Sequence, residues 1–122
     1  MTDVERAELL KALYALKNAC EWYQKEEEAK HRMVTGLFAK QRNAELVKLA
    51  NQAKRNGDEL VANYRDIVDQ IPTAWYTVPM VEHLIVMAEH GCGENVKDLV
   101  KRYKWNFRDL TEAGVFGSPV HA

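Results

Sequence analysis

The sequence predicts an all-α protein: a long antiparallel helical hairpin, similar to a coiled coil, followed by a small C-terminal module of two helices. Three observations predict this architecture. Apolar and small residues recur at alternating intervals of four and three between Leu46 and Ile71, which places them on one stripe of a helix. The segment from Leu9 to Tyr23 has the same spacing. Only three prolines and six glycines occur in 122 residues, so little interrupts regular structure.

The composition is that of an ordinary globular domain, with 47% apolar and 29% charged residues. Lys plus Arg is 17 and Asp plus Glu is 18, which argues against binding nucleic acid through net charge alone. Cys20 and Cys92 are too few for a disulfide scaffold. The first ten residues are rich in charge, and no apolar run reaches the ~18 residues of a membrane span. We therefore expect a cytoplasmic protein with reduced thiols.

The first helix is predicted over residues 3–34. Thr2 and Glu5 have the spacing of a capping box, in which each side chain accepts a hydrogen bond from the other residue's amide. Thr35-Gly36 is the predicted end, because glycine adopts the left-handed conformation that terminates helices.

The second helix is predicted over residues 37–70. Its stripe consists of Leu46, Ala50, Ala53, Gly57, Leu60, Tyr64, Ile67 and Ile71. Folding the chain back at residues 35–36 sets position i opposite about 71 − i, so that large side chains face small ones. Gly57 then serves as a small residue in a close-packed seam, although it could instead end one helix before a cap at Asp58. The alternative to the hairpin is one unbroken helix of about 65 residues that pairs with another chain. The hairpin is preferred because helices that long are rare.

Ile71-Pro72 ends the second helix, because proline disfavours helix at the residue before it. Two further helices are predicted, over Met80–His90 and Glu94–Thr111, on either side of Gly91-Cys92-Gly93. The predicted organisation is a hairpin at 1–70, a C-terminal helical module at 71–113 and a flexible tail at 114–122.

Residues 71–103 carry a pattern with Ile71, Pro72, Trp75, Gly91, Lys97, Asp98 and Tyr103 at its fixed positions. It resembles the C-terminal IPxxY…GRAdtwkeAinlY segment of uncharacterised coiled-coil proteins from Gram-positive bacteria and their mobile elements. The resemblance implies a coiled-coil region followed by a small helical module. The family has no established activity, so the resemblance assigns no functional residues. Members of that family often carry a membrane hairpin between two coiled-coil arms. This chain has Cys92-Gly93 in place of Arg-Ala and few apolar residues near 34–39, so we expect no membrane span.

The third predicted helix carries residues that suggest a metal or thiol site as one hypothesis. His83, Met87 and His90 share one face, and Cys92 follows. Structural zinc needs four well-placed ligands, and the usual paired spacings are absent. A catalytic cysteine needs a positioned base, which nothing identifies. We therefore assign no catalytic residue, no metal and no cofactor.

The fourth predicted helix carries a basic stripe of Lys97, Lys101, Lys104 and Arg108. Such a stripe suggests a nucleic-acid site as one hypothesis. The segment has the size of a helix-turn-helix, but the match puts bulky Met87 where close packing needs Ala or Gly. It also puts Lys97 where the second helix should be buried.

Exposed aromatic residues are favoured anchors at protein interfaces. Trp75, Tyr76, Trp105 and Phe107 are candidates, or else they close the open end of the hairpin over Ile67 and Ile71. The function predicted is non-enzymatic protein–protein interaction, with self-association included and homo-oligomers expected. Candidate partner-binding residues are Trp75, Tyr76, Lys97, Lys101, Lys104 and Arg108. The alternatives are nucleic-acid binding through the basic stripe and, third, a metal- or thiol-dependent enzyme.

Overall fold

The computed structural model describes residues 2–112, and the side chains of residues 2–104. Its helices are α1 (Asp3–His31), α2 (Ala39–Arg42), α3 (Ala44–Val61), α4 (Arg65–Val68), α5 (Val78–Glu89) and α6 (Val96–Glu112). Short 3₁₀ turns lie at Ala62–Tyr64 and Thr73–Trp75. No strand occurs among these residues, which confirms the all-α prediction. The predicted tail at 114–122 lies outside the described residues.

Helix α1 begins as the sequence predicts. The Glu5 amide donates to Thr2 Oγ1 at 3.1 Å, and the Thr2 amide donates to the Glu5 carboxylate at 3.4 Å. Both halves of the capping box are therefore formed. Leu9, Leu13 and Leu16 are buried along one face of the helix. Burial of these side chains, at roughly 1.5–3 kcal/mol each, provides the main stabilisation of α1.

The predicted second helix is not continuous, and this part of the prediction is wrong. The chain leaves helical geometry after His31, forms only the single turn of α2, and begins α3 at Ala44. A 3₁₀ turn then separates α3 from α4. Before that turn, the buried stripe of α3 passes from Gly57 to Val61, four residues on, and Val61 is fully buried. Leu60, which the sequence places on the stripe, is 38% exposed.

The predicted pairing register is wrong at Tyr23. Folding at residues 35–36 would set Tyr23 opposite residue 48, whereas its ring lies against Gly57. Reversal of the chain takes all of residues 32–43 rather than two residues, so the start of α3 aligns with the end of α1. Val34 is bonded to Asn43. Val4 lines a cavity with Ile67, the residue that the predicted register sets opposite it. The end of α1 thus lies beside the start of α3, and the start of α1 lies beside α4. The alternative of one unbroken helix over residues 3–70 is not formed.

One buried cluster joins the first part of α1 to the later helices. It takes Leu13 and Leu16 from α1, Val61 and Val68 from the end of α3 and from α4, and further residues from α5 and α6. The α5 and α6 members are Val81, Leu84, Ile85, Ala88, Val96, Leu99, Val100 and Tyr103. No α1 residue after Cys20 belongs to the buried part of this cluster. The predicted boundary between a hairpin at 1–70 and a C-terminal module at 71–113 stays a prediction.

Beyond that cluster, α1 and α3 pack mainly on each other, and Tyr23 of α1 also stacks on Tyr76. We call this part the arm: residues 21–31 of α1, α2, and residues 44–56 of α3. Its buried residues are small, namely Ala29, Ala50 and Ala53. Lys30 Nζ lies 3.2 Å from the Glu26 carboxylate on its surface. The fold therefore projects a two-helix arm away from a larger helical base.

Candidate interaction surface

The end of the arm exposes apolar side chains. Leu37 is 91% exposed and Phe38 is 62% exposed, and Val34 beside them is also exposed. Isolated exposed apolar residues are normal on protein surfaces, but two large neighbours at the end of a projecting element are characteristic of contact sites. We call residues 30–42 the arm tip.

The arm tip is strongly basic. It contains Lys30, Arg32, Lys40 and Arg42, and no Asp or Glu. Arg32, Lys40 and Arg42 are exposed. An apolar pair surrounded by cations is suited to a partner surface that is apolar at its centre and acidic at its rim.

Asn43 holds the arm tip in shape. Its side-chain amide donates to the Val34 carbonyl at 2.8 Å, and its side-chain carbonyl accepts from the Val34 amide at 2.9 Å. This two-way bond closes the loop across nine residues. Gly36 inside the loop has φ +115°, a conformation that L side chains rarely adopt. The exposed pair at 37–38 is therefore presented by a defined turn.

A solvent-open cavity lies where the start of α1 meets α4 and the loop before α6. Its volume is about 260 Å³. Its apolar lining consists of Val4, Leu9, Ile67 and Val96, and its acidic lining consists of Glu5, Glu8 and Glu94. Within the part of the chain that the structure describes, no Lys, Arg or His lines it. The loop here is fixed because the Asp98 amide donates to Asn95 Oδ1 at 3.0 Å and the Glu94 amide donates to Asp98 Oδ2 at 2.9 Å.

Trp75 and Tyr76, predicted as partner contacts, are both partly buried against the base. The Trp75 ring packs on Tyr103 with a centroid distance of 4.7 Å. The Tyr76 hydroxyl donates to the Val68 carbonyl at 3.0 Å, and its ring is stacked on Tyr23 at 6.3 Å. Burial raises the pKa of Tyr76. Both side chains therefore have a packing role within the fold, and partner binding by them stays a prediction.

Lys97, Lys101 and Lys104 are exposed on α6, at the spacing that the sequence predicts for one face. Lys104 Nζ lies 5.9 Å from the centre of the Trp75 ring. Asp98 beside this face forms a salt bridge with Arg102, with 3.3 Å between Asp98 Oδ2 and Arg102 Nε. Arg108 belongs to α6, but its side chain lies outside the described residues, as do those of Trp105 and Phe107.

The third predicted helix forms as α5, and its candidate ligands do not converge. His83 is half-buried, and burial lowers its pKa, whereas His90 is exposed at the end of the helix. Among the residues the structure describes, no group of three or more His, Cys, Asp or Glu could hold a metal ion. Cys20 is buried, and desolvation raises the pKa of its thiol to about 11, which disfavours the nucleophilic thiolate.

The sequence reasoning missed both the arm tip and the cavity. It assigned Leu37 and Phe38 to the start of a helix, where they would have joined a helical face. A local signal for the arm tip was present in the sequence: Leu37 and Phe38 lie within thirteen residues, 30–42, that contain no Asp or Glu. The cavity had no local signal, because its lining comes from three separate segments.

Within residues 2–112, no helix combines the length and the apolar character needed to cross a bilayer. Comparison of the chain with protein-family models, with curated proteins and with solved structures gives no match.

Proposed function

We propose that this protein is a non-enzymatic protein–protein interaction module that binds through its arm tip and can self-associate. The observation that carries the proposal is the exposure of Leu37 and Phe38, at 91% and 62%, on a turn held by Asn43. Burying one such side chain in a partner contributes roughly 1.5–3 kcal/mol. A preformed turn also reduces the entropy lost on binding.

The proposal assigns different roles to the two parts of the chain. The helical hairpin acts as a coiled-coil-like spacer, and the C-terminal module at 71–113 braces its base through the shared buried cluster. The proposed location is the cytoplasm, where Cys20 and Cys92, both unpaired here, would stay reduced.

The test is capture of partner proteins from an extract of the source cells by the intact chain and by Leu37→Ser/Phe38→Ser. The double variant should lose at least one specifically bound protein, or binding of the chain to itself. Val86→Ser is the matched control, because Val86 is 49% exposed but lies on α5. It should bind as the parent does. Equal capture by all three proteins would refute binding through the tip.

A second candidate function is nucleic-acid binding by the exposed face of α6. The observation that favours it is the exposure of Lys97, Lys101 and Lys104 on one helical face. Arg102 beside this face adds no net positive charge, because it pairs with Asp98. The tip remains the stronger candidate, since it combines charge with exposed apolar area.

A further inference from the structure

The arm tip and the cavity at the base are complementary in charge. At the tip, Arg32, Lys40 and Arg42 are exposed, while Lys30 pairs with Glu26. Among the described residues, the cavity lining includes Glu5, Glu8 and Glu94 and no Lys, Arg or His. Glu94 already has a partner, so the charge that the cavity offers to another molecule comes from Glu5 and Glu8. Glu8 on the cavity rim has Lys11 Nζ at 3.5 Å, and both side chains are more than half exposed. An exposed pair of this kind is weak, so Glu8 retains the ability to attract a second cation.

The two surfaces are also complementary in shape and polarity. The tip projects an apolar pair, and the cavity has an apolar floor of Val4, Leu9, Ile67 and Val96. A cavity of about 150 Å³ lined by apolar side chains is enough to bind benzene. At about 260 Å³, this cavity has room for the ring of Phe38 or the side chain of Leu37.

A chain cannot place its own tip in its own cavity. Val4 and Leu9 lie at the start of α1, and the tip follows its end. The 29 residues of α1 span about 43 Å at ~1.5 Å per residue. The occupant with the required chemistry must therefore come from another molecule.

We infer that the occupant is a second copy of this chain, whose arm tip enters the acidic-rimmed cavity of the first. This inference rests on the proposed function and names the partner of the same site. The contact joins two different surfaces, so one copy of the pair keeps a free cavity and the other keeps a free tip. Such a head-to-tail contact propagates into open chains or closes into rings rather than stopping at a symmetric dimer.

The contact is small, so the association is weak and concentration-dependent. Amide chemical shifts in a dilution series between about 0.05 and 1 mM cover the range in which a weak contact changes occupancy. Signals from residues around Leu37 and from residues around Leu9 and Ile67 should shift together. Raising the salt concentration should reduce these shifts, because the rim charges are exposed.

Two variants separate the halves of the contact. The tip variant is Leu37→Ser/Phe38→Ser, and the cavity variant is Val4→Lys/Glu8→Lys, which adds positive charge at two exposed positions. Each alone should lose the concentration-dependent shifts. Labelled tip variant should show shifts around its intact cavity when unlabelled cavity variant is added, and none when unlabelled tip variant is added. Val86→Ser should behave as the parent.

The outcomes distinguish this inference from the proposed function. No shifts on mixing the complementary variants would overturn copy-to-copy docking. If the tip variant nevertheless lost a different protein from the cell extract, the proposed function would stand and the inference would fall. Tip-dependent binding to vesicles of phosphatidylserine and phosphatidylcholine, without any protein contact, would overturn both.

Discussion

The ring of Tyr23 lies on Gly57 so closely that the glycine has no room for a side chain. A Cβ added at Gly57 would stand 2.5 Å from Cε1 of Tyr23. The ring cannot easily turn aside, because its hydroxyl donates to Asp58 at 2.7 Å and its face stacks on Tyr76. Burial, then the bond to Asp58, raises the pKa of Tyr23 well above its ordinary value. This contact fixes the register of α1 against α3.

The first prediction is that Gly57→Ala destabilises the protein. Overpacking costs about 1–3 kcal/mol, while replacing glycine by alanine inside a helix returns ~1 kcal/mol. We expect a net loss of about 1 kcal/mol, measured by urea unfolding.

The control is the same substitution in a Tyr23→Ala background, where the steric conflict is gone. There Gly57→Ala should become neutral or stabilising. Gly36→Ala supplies a second comparison, since it is strained by its φ of +115° but has no neighbour within 4 Å. Its cost should be the same in both backgrounds. A cost for Gly57→Ala that is independent of Tyr23 would mean that the contact does not limit this position.

The second prediction concerns Asn43, whose side chain makes both bonds to the Val34 backbone. Asn43→Ala should loosen the arm tip, because the loop loses its cross-link. Each partly exposed hydrogen bond contributes roughly 0.5–1.5 kcal/mol, and the buried cluster at the base is untouched. We expect lower heteronuclear NOE values at Leu37 and Phe38 in NMR relaxation, with only a modest change in the unfolding midpoint.

Asn51→Ala is the matched control for this prediction, because Asn51 is exposed on α3 away from the tip. It should leave the tip as rigid as in the parent. An Asn43→Ala protein with unchanged relaxation at the tip would show that other contacts define the turn.

The helical content and several of its causes could be predicted from the sequence. Features that depend on neighbouring residues can be predicted from local sequence. Examples are the Thr2–Glu5 capping box, the small residue at Gly57 and the helix break at Pro72. The pairing of α1 with α3 could not be predicted in the same way, because it depends on the number of residues in the turn between the two helices. Leu60 was assigned to the seam because Leu60 and Val61 lie three and four residues after Gly57, so the spacing fits either residue, and the structure buries Val61.

The candidate site was less predictable than the fold. Exposure of Leu37 and Phe38 depends on the chain leaving α1 at His31, earlier than the helical pattern suggests. The cavity unites residues of α1 and α4 with the loop before α6 and the first residue of that helix, so no periodicity in one segment reveals it. Lys97, Lys101 and Lys104 are exposed on α6 at the helical spacing that the sequence predicts, because they repeat within one element. Arg108 completes the predicted stripe and lies outside the described side chains.

The third prediction is a loss of stability at alkaline pH that depends on Cys20. The folded protein holds the Cys20 pKa near 11, raised from 9.0 by desolvation. Below pH 9 both folded and unfolded chains keep the thiol protonated, and the stabilisation is fully present. Between pH 9 and 11 the unfolded chain releases this proton and the folded chain does not, so the free energy of unfolding falls as pH rises.

Urea unfolding at several pH values, with the parent and Cys20→Ala, checks this. The variant should start from a lower stability, because it loses buried volume, but should decline less steeply between pH 9 and 11. Tyrosines with raised pKa values add a further decline above pH 10 in both proteins. Parallel curves for the two proteins would contradict a buried, protonated Cys20.

The last prediction separates the two candidate functions. If α6 does not bind nucleic acid, duplex DNA should bind weakly and without sequence preference at ~150 mM salt, where the screening length is about 8 Å. A real site with phosphate contacts from Lys97, Lys101, Lys104 and Arg108 would give a log–log salt slope near −3.6, at ~0.9 per contact. Changing those four residues to Glu would abolish such binding, whereas Lys40→Glu/Arg42→Glu at the tip would not. We expect neither the slope nor the loss, because the formal net charge is −1 and the Asp98–Arg102 pair borders the stripe. Tight binding with that slope, lost only in the four-residue variant, would favour nucleic-acid binding over the protein-interaction function.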